Sequence, residues 1–426
     1  MIPPTSRYST LGRAGLARVV PELLLVGHLI DRSAMPWCIA EFGRDEMARI
    51  AIEEWASASP IYTRRMQRAL GYAPGEPGRG DVVTIFKGLQ LDIGAPPQFM
   101  DFRFSVHDSW HGEFHLAHCG ALMDVEPMGD GFVRAMCHDI EDPTFDATAV
   151  ASNPRARVRP VHRPPRVPAD RQPHCAWTVT IDESHPAAQG IPALAVNERS
   201  RAATLELAPI VASGDGLDDY SGPLVSDLDF TCFSHSALSR IADEVCLQMH
   251  LLDLGFANAV ADRARTVDDL VRIRRKQLTG IAGLAAQRLI PALDLPRDPD
   301  QLPRSALRLL ALHPVLNPSA YVTATIADDS IVVKPSPAHH DGAWVSLCGP
   351  AWSAPLQAAV QALDRHLDVE VTACPEAGRG AWRATVTRRA EPGPEAEEVA
   401  VASFSTGATF RFETRRPLPI APSPTQ

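Results

Sequence analysis

The sequence lacks several features that would assign it to a familiar class. None of its eight cysteines forms a CxxC pair, and their spacing at 38, 119, 137, 175, 232, 246, 348 and 374 is irregular. This pattern indicates neither a disulfide framework nor a structural zinc knuckle. Excess basic charge is also missing, because the formal net charge is −10. We therefore expect a cytoplasmic protein with reduced thiols that does not bind nucleic acid.

A hydrophobic run long enough to cross a bilayer is missing as well. The apolar stretch VVPELLLVGHLI follows three arginines, as in a signal peptide, but Pro21 and Glu22 interrupt it. No small-residue cleavage site follows, and the stretch is shorter than the roughly 20 residues that a membrane helix needs. We interpret it as a buried helix and expect neither a cleaved leader nor a membrane partner.

The length and the order of local patterns predict two similar units. At 426 residues, the chain exceeds the roughly 250–300 residues at which a single core stops growing. In both halves, helical periodicity is followed by strand, strand, short helix, strand and strand. We predict an α+β fold in two similar halves, each with helices packed on an antiparallel sheet, arising by internal duplication. The predicted units are 1–183, a loop-rich linker at 184–226, a second unit at 227–416, and a disordered tail at 417–426.

Particular residues predict where elements begin and end. Ser59–Pro60 is a typical start for a helix, and Ser234 and Thr266 are expected to cap two long helices. FMDFRFSV alternates between apolar and polar residues, which predicts a strand, and EFHLAHC is expected to return beside it after a hairpin. Asp142–Pro143 is expected to end a short helix. AWVSLC, at 343–348, is predicted to be a strand.

One stretch, residues 107–146, concentrates side chains that bind metals or transfer protons. It contains five of the fifteen histidines, two of the eight cysteines and nine Asp or Glu residues. We call it the polar cluster and predict that it forms the active or binding site.

The first interpretation of the polar cluster is a metal site. Imidazole and carboxylate groups are ligands of zinc and non-haem iron. Glu113 and His115 share one face of the predicted strand, and His138 and Glu141 share one face of the following helix. Packing the helix on the sheet would bring the four groups together. We therefore predict one divalent metal, zinc or iron, held by these residues.

The second interpretation is a cysteine nucleophile, in which a thiolate attacks an electrophilic carbon and a histidine moves the proton. Cys119 follows His118, and Cys137 precedes His138. Cys119, Cys137 and His118 are therefore the candidate catalytic residues. A purely structural role for the polar cluster is the third interpretation, because a single histidine is more often a hydrogen-bonding group than a ligand.

Arginines after the polar cluster suit an anionic substrate. Arg157, Arg159 and Arg163 lie on one face of a proline-stiffened segment, and guanidinium groups match carboxylate and phosphate oxygens. A solvated basic face is the alternative.

The first 180 residues resemble the L-2-amino-thiazoline-4-carboxylate hydrolase-like family. The matching features are the helical region before Phe99, the His-Cys pair at 118–119 and the helix that contains Cys137. The resemblance implies a hydrolase-like activity and an α+β region that contains cysteines. The histidine-rich loop, IEDPTFD and the second half depart from that family's pattern.

These patterns together predict a cytoplasmic, hydrolase-like enzyme that acts on a small anionic molecule at the polar cluster. The alternative is a non-catalytic protein that binds a small-molecule ligand with the same polar groups. A catalyst needs a base and a nucleophile or metal that converge in one pocket.

Overall fold

A computed structural model describes residues 3–422 of the chain. The helices and strands of the first half are α1 (Arg13–His28), α2 (Ile30–Phe42), α3 (Arg44–Ala69), α4 (Val82–Leu89), β1 (Met100–Val106), β2 (His111–Cys119), α5 (Gly120–Val125), α6 (Asp130–Arg134), α7 (Glu141–Val150), β3 (Ala156–His162), β4 (Cys175–Ile181), α8 (Pro192–Asn197) and α9 (Arg201–Thr204). Those of the second half are α10 (His235–Ala261), α11 (Val267–Ala292), α12 (Leu302–Ala311), β5 (Ala324–Ile326), β6 (Ser330–Val333), α13 (Pro337–Asp341), α14 (Ala354–Gln361), β7 (Leu367–Ala373), β8 (Trp382–Arg388) and α15 (Glu397–Ala402).

The two halves have the same sheet topology. The first sheet has the strand order β1-β2-β4-β3 and the second has β5-β6-β8-β7, and every neighbouring pair is antiparallel. Each sheet follows long helices in the chain, and one or more helices separate its two strand pairs. This confirms the predicted α+β fold in two similar halves.

Capping signals predicted the long helices of the second half well. The side chains of Ser234 and Thr266 accept hydrogen bonds from the backbone of the first turns of α10 and α11. Three other predictions were wrong. Helix α3 runs through Pro60, a 3-10 helix occupies Trp344–Leu347, and the helix at Pro143 continues because a π-helix at Ala135–Ile140 joins α6 to α7. In each case packing against neighbouring elements overrides a local preference.

The end of the described chain is hydrogen-bonded to the last part of the loop-rich segment. Leu418 N–H donates to Ser226 Oγ, and Ile420 N–H donates to Leu224 O. The last four residues of the predicted disordered tail, 423–426, lie outside the described residues.

The helices of the two halves pack across each other around one main hydrophobic core. The core contains buried residues from Tyr8 to Ala402. The long helices of one half pack on those of the other. Helix α10 of the second half packs on α3 of the first, and α11 of the second half packs on α1 and α2 of the first. The first helices, α1 and α10, also contact each other. The helical layer therefore contains helices from both halves of the chain.

Two buried ion pairs repeat this exchange between the halves. Arg65 Nε in α3 lies 2.9 Å from Glu244 Oε2 in α10. Arg288 Nε in α11 lies 2.7 Å from Glu22 Oε2 in α1. Each arginine also donates to backbone carbonyls of the segment that follows the sheet of its own half. Arg65 donates to Ala203 and Leu205, and Arg288 donates to Ala408 and Phe410. The two pairs occupy exchanged positions, but Arg65 binds both carboxylate oxygens of Glu244, whereas Arg288 binds only Oε2 of Glu22.

Two aspartates, one in each half, accept hydrogen bonds from the segment that follows the sheet of the other half. Asp124, in helix α5 directly after the β1–β2 hairpin, accepts bonds from Ser405 and Thr406, which follow the second sheet in the chain. Asp341, in the equivalent helix of the second half, accepts bonds from the N–H groups of Arg201 and Ala202 beyond the first sheet. Each half is thus tied to the segment that leaves the other.

The first helices of the halves also share a sequence pattern. Aligning 13–33 with 235–255 gives identical residues at seven positions, among them Glu22 with Glu244, His28 with His250 and Asp31 with Asp253. An internal duplication would explain this pattern, and as an origin of the two halves it stays a prediction. No helix within residues 3–422 is long and apolar enough to cross a bilayer.

Candidate active site

The predicted metal ligands do not converge. Glu113 is exposed, 3.6 Å from His107 Nε2, and His115 lies on the outer face of β2 opposite Arg103. His138 Nε2 donates to Pro164 O at 2.7 Å, while Glu141 points into the protein. Across residues 3–422, no three His, Cys, Asp or Glu side chains are grouped so that they could hold a metal ion. The predicted zinc or iron has no assembled site in that part of the chain.

The candidate thiols lie in settings that keep them protonated. Cys119 is buried at the start of α5, where its Sγ accepts a bond from Leu122 N–H at 3.3 Å. Burial, followed by the nearby Glu141, raises the pKa of this thiol to about 12. Burial also raises the pKa of Cys137 far above its usual value. The His118 ring lies 5.7 Å from the His174 ring, and His174 accepts a bond from Cys119 N–H.

The predicted substrate arginines are occupied by protein partners. Arg159 Nη1 lies 2.9 Å from Asp146 Oδ2, and Arg163 pairs with Asp142. Arg157 donates to the carbonyls of Ala156 and Pro186. These contacts fasten the β3 segment to α7 and to the following loop.

A cavity lined by polar side chains lies between the helices and the first sheet. It has about 690 Å³ of space free of protein atoms, part of it open to solvent. Its polar lining comes from the α1–α2 junction, α3, the loop after α4, and α7, and consists of His28, Asp31, Arg32, Trp55, Tyr62, Asp92, Glu141, Thr144 and Thr148. We call it the central cavity. Only Glu141 of the predicted site residues lines it.

His28 contributes an imidazole ring without a protein partner. It is the last residue of α1, directly before the chain turns into α2. Neither ring nitrogen has a hydrogen-bond partner, although both are buried, and the ring packs edge-on against Phe99. Burial, assisted by the Arg32 charge, lowers the pKa of His28 to about 3. The ring is therefore neutral at physiological pH.

Asp31 follows one helical turn later. Its Oδ2 accepts a bond from Trp55 Nε1 at 2.6 Å, and the carboxyl group of Glu54 also forms a hydrogen bond with Asp31. Burial raises its pKa. The neighbouring Glu54 is fully enclosed, and burial and then the Asp31 charge raise its pKa strongly.

Asp92 and Glu141 bring two further carboxyl groups to the central cavity. Asp92 Oδ1 accepts bonds from Tyr62 Oη at 2.8 Å and Gly94 N–H at 2.7 Å. Burial raises the pKa of Asp92 to about 6. Glu141 begins α7, directly after the π-helix, and its Oε2 is buried without a partner. Burial raises the pKa of Glu141 to about 8 despite the opposing Arg163 charge.

Arg32 brings the cation of the central cavity, but Asp124 neutralises it. Arg32 Nε lies 3.2 Å from Asp124 Oδ2, and both side chains are buried. The remaining ionisable groups facing the cavity are carboxyl groups, the neutral His28 and Tyr62, whose pKa burial raises. The lining therefore favours hydrogen-bond donors over anions.

The equivalent place in the second half is filled by protein. His250 Nε2 donates to Asn317 O at 2.8 Å. Its ring centroid lies 4.9 Å from that of Tyr321 and 5.2 Å from that of Trp344. Asp253 pairs with Arg274 at 2.8 Å. The His and Asp pattern is thus shared, but His250 and Asp253 are hydrogen-bonded to Asn317 and Arg274, whereas His28 and Asp31 line the central cavity.

Sequence analysis missed His28, Asp31 and Asp92. A usable signal was present, because His-x-x-Asp recurs at equivalent positions of the two halves, at the α1–α2 junction and within α10. Asp92 and Tyr62 carry no such signal, since only the fold brings them together. Comparisons of the chain with family models, with curated proteins and with solved structures find no match.

Proposed function

We propose that the chain is an enzyme that hydrolyses a small polar molecule in the central cavity by acid–base catalysis. One observation supports this most strongly. Two carboxyl groups with pKa values of about 6 and about 8, Asp92 and Glu141, line the same cavity. Environments that separate the pKa values of two acids are typical of acid and base pairs in active sites.

The pKa values assign the roles. Near pH 7 Asp92 is mostly ionised, and its Oδ2 is free of the bonds that hold Oδ1. It accepts a proton from water as the water oxygen attacks the substrate carbon. Glu141 is mostly protonated and donates its proton to the leaving group as that bond breaks. His28, whose ring nitrogens have no partner, and Asp31, which lines the same cavity, orient the substrate.

The hydrolytic reaction agrees with the resemblance to the L-2-amino-thiazoline-4-carboxylate hydrolase-like family, which stays a prediction, as does a cytoplasmic location. The central cavity gives less support to an anionic substrate, because its cation is already paired with Asp124. A neutral or cationic substrate fits the carboxyl groups better. A divalent metal is not needed for the proposed roles, and its presence is a separate prediction.

A metabolite-depletion assay tests the proposal. The protein is incubated with the small-molecule fraction of a cell extract, and mass spectrometry follows which compounds disappear. We expect a compound that the wild type and Glu113→Gln consume and Glu141→Gln does not, because only Glu141 lines the cavity. A compound that is retained but unchanged would support the binding-protein alternative. Equal depletion by Glu141→Gln would refute the catalytic role.

The pKa of Glu141 has a consequence for stability. Its folded value of about 8 exceeds the ordinary value of 4.5, so the unfolded chain releases this proton first and stability falls as pH rises between those values. Glu141→Gln removes this loss. As pH rises, the free energy of unfolding of the variant should therefore increase relative to that of the wild type, by at most about 1.4 kcal/mol per pH unit. Urea unfolding at pH 5, 6, 7 and 8 measures the difference, and a difference that is constant across this range contradicts it.

A further inference from the structure

An apolar groove lies beside the central cavity. It is lined by α2, the start of α3 and the segment from Val125 to Ile140, and it contains four of the nine methionines: Met35, Met47, Met128 and Met136. We call it the methionine groove. Methionine side chains are flexible and polarisable, and such surfaces adapt to apolar ligands of varied shape.

The methionine groove and the central cavity share a wall. Arg32, Met35, Met136 and Ile140 line both spaces. Met136 and Ile140 belong to the π-helix, which directly precedes Glu141. Single π-turns of this kind are frequent at functional sites. The groove is therefore the apolar approach to the carboxyl groups of the cavity.

The outer part of the groove leaves large apolar side chains in contact with solvent. Met128 is 46% exposed, and Phe404, which also lines the groove, is 47% exposed. Apolar surface next to a polar pocket is typical of a ligand site. A ligand that covered this surface would have to carry an apolar group.

The inner end defines the opposite end of that ligand. Glu141 Oε2 is buried without a partner, the oxygens of Asp31 and Asp92 line the same cavity, and Arg32 is neutralised by Asp124. A head group with several N–H donors satisfies these oxygen atoms, whereas a carboxylate head would face three carboxyl groups.

We propose that the site takes an amphipathic amine, with its nitrogen head in the central cavity and its alkyl or aryl tail in the methionine groove. This inference rests on the proposed function, since the head is placed where the cavity acts. It adds the substrate class, which the acid and base pair does not define.

Calorimetric binding of straight-chain amines to the full chain tests the inference. In the series ethylamine, butylamine, hexylamine and octylamine, the affinity should rise by about fourfold per added CH2 while the tail fills the groove. Octanoate should bind more weakly than octylamine. Changing the exposed groove residues together, Met128→Gln with Phe404→Gln, should lower the affinity for octylamine by about tenfold. The matched control is Val196→Gln with Val211→Gln, at positions 44% and 66% exposed.

The outcomes distinguish a failure of the groove inference from a failure of the proposed function. Glu141→Gln should weaken every amine by a similar factor without changing the dependence on chain length. If the affinity depends on chain length and on the groove variant but not on Glu141→Gln, the groove is confirmed as the tail site and the proposed function is refuted. Affinity that is independent of chain length, equal binding of octanoate, no effect of the groove variant, or no binding of any amine would each overturn the inference.

Discussion

Glu244→Ala should cost about 3–5 kcal/mol of the free energy of unfolding, the range measured when one partner of a buried ion pair is removed. Glu244 is buried in α10, where it accepts bonds from Arg65 of α3 and from Arg240. Its loss leaves the buried Arg65 guanidinium without a counter-charge. Urea unfolding followed by circular dichroism measures the loss.

The neighbouring arginine provides the control. Arg64 pairs with Glu198 at 2.9 Å, but 37% and 47% of the two side chains are exposed. Glu198→Ala should therefore change stability by no more than about 1 kcal/mol. Similar losses for Glu244→Ala and Glu198→Ala would show that the exchanged pairs do not hold the halves together. The double variant Arg65→Met with Glu244→Leu should recover much of the loss, because it leaves no unpaired charge.

Asp124→Ala is the second substitution for which we expect a large loss, again about 3–5 kcal/mol. Its two oxygens accept bonds from Arg32, from Ser405, and from both the backbone N–H and the hydroxyl of Thr406. The substitution therefore leaves the Arg32 charge buried and unpaired, and it releases the 3-10 helix at Thr406–Thr409. Thermal and urea unfolding measure the loss.

Asp142→Ala is the matched control, because Asp142 also pairs with an arginine but is 44% exposed. It should cost no more than about 1 kcal/mol. Limited proteolysis should then detect faster cleavage near Thr406 in Asp124→Ala than in Asp142→Ala. Equal stability and equal cleavage of the two variants would contradict the role assigned to Asp124.

The sequence predicted those parts of the fold that local chemistry decides. Alternation placed β1 and β2, and the caps Ser234 and Thr266 placed α10 and α11, because a side chain and its backbone partner lie within one turn. It did not predict that α3 passes Pro60, since the packing of α3 against α10 outweighs a single missing bond.

The candidate site was harder to predict for a related reason. Glu141 belongs to the polar cluster, but Asp31 and Asp92, which line the central cavity with it, lie 110 and 49 residues before it. No spacing rule connects residues that only the packing of three elements brings together. The histidines that dominated the pattern, His107, His111 and His115, instead lie on the outer side of the first sheet or in its hairpin.

The exchanged packing of the two halves has a consequence for the order in which the chain can fold during synthesis. The Arg65–Glu244 pair spans 179 positions and the Glu22–Arg288 pair spans 266. Helix α1 therefore leaves the ribosome long before α11 exists to cover it. Contacts across such separations form slowly, and unpaired apolar helices are prone to aggregate meanwhile. Helix α1 therefore cannot be covered by α11 until about two-thirds of the chain has been synthesised.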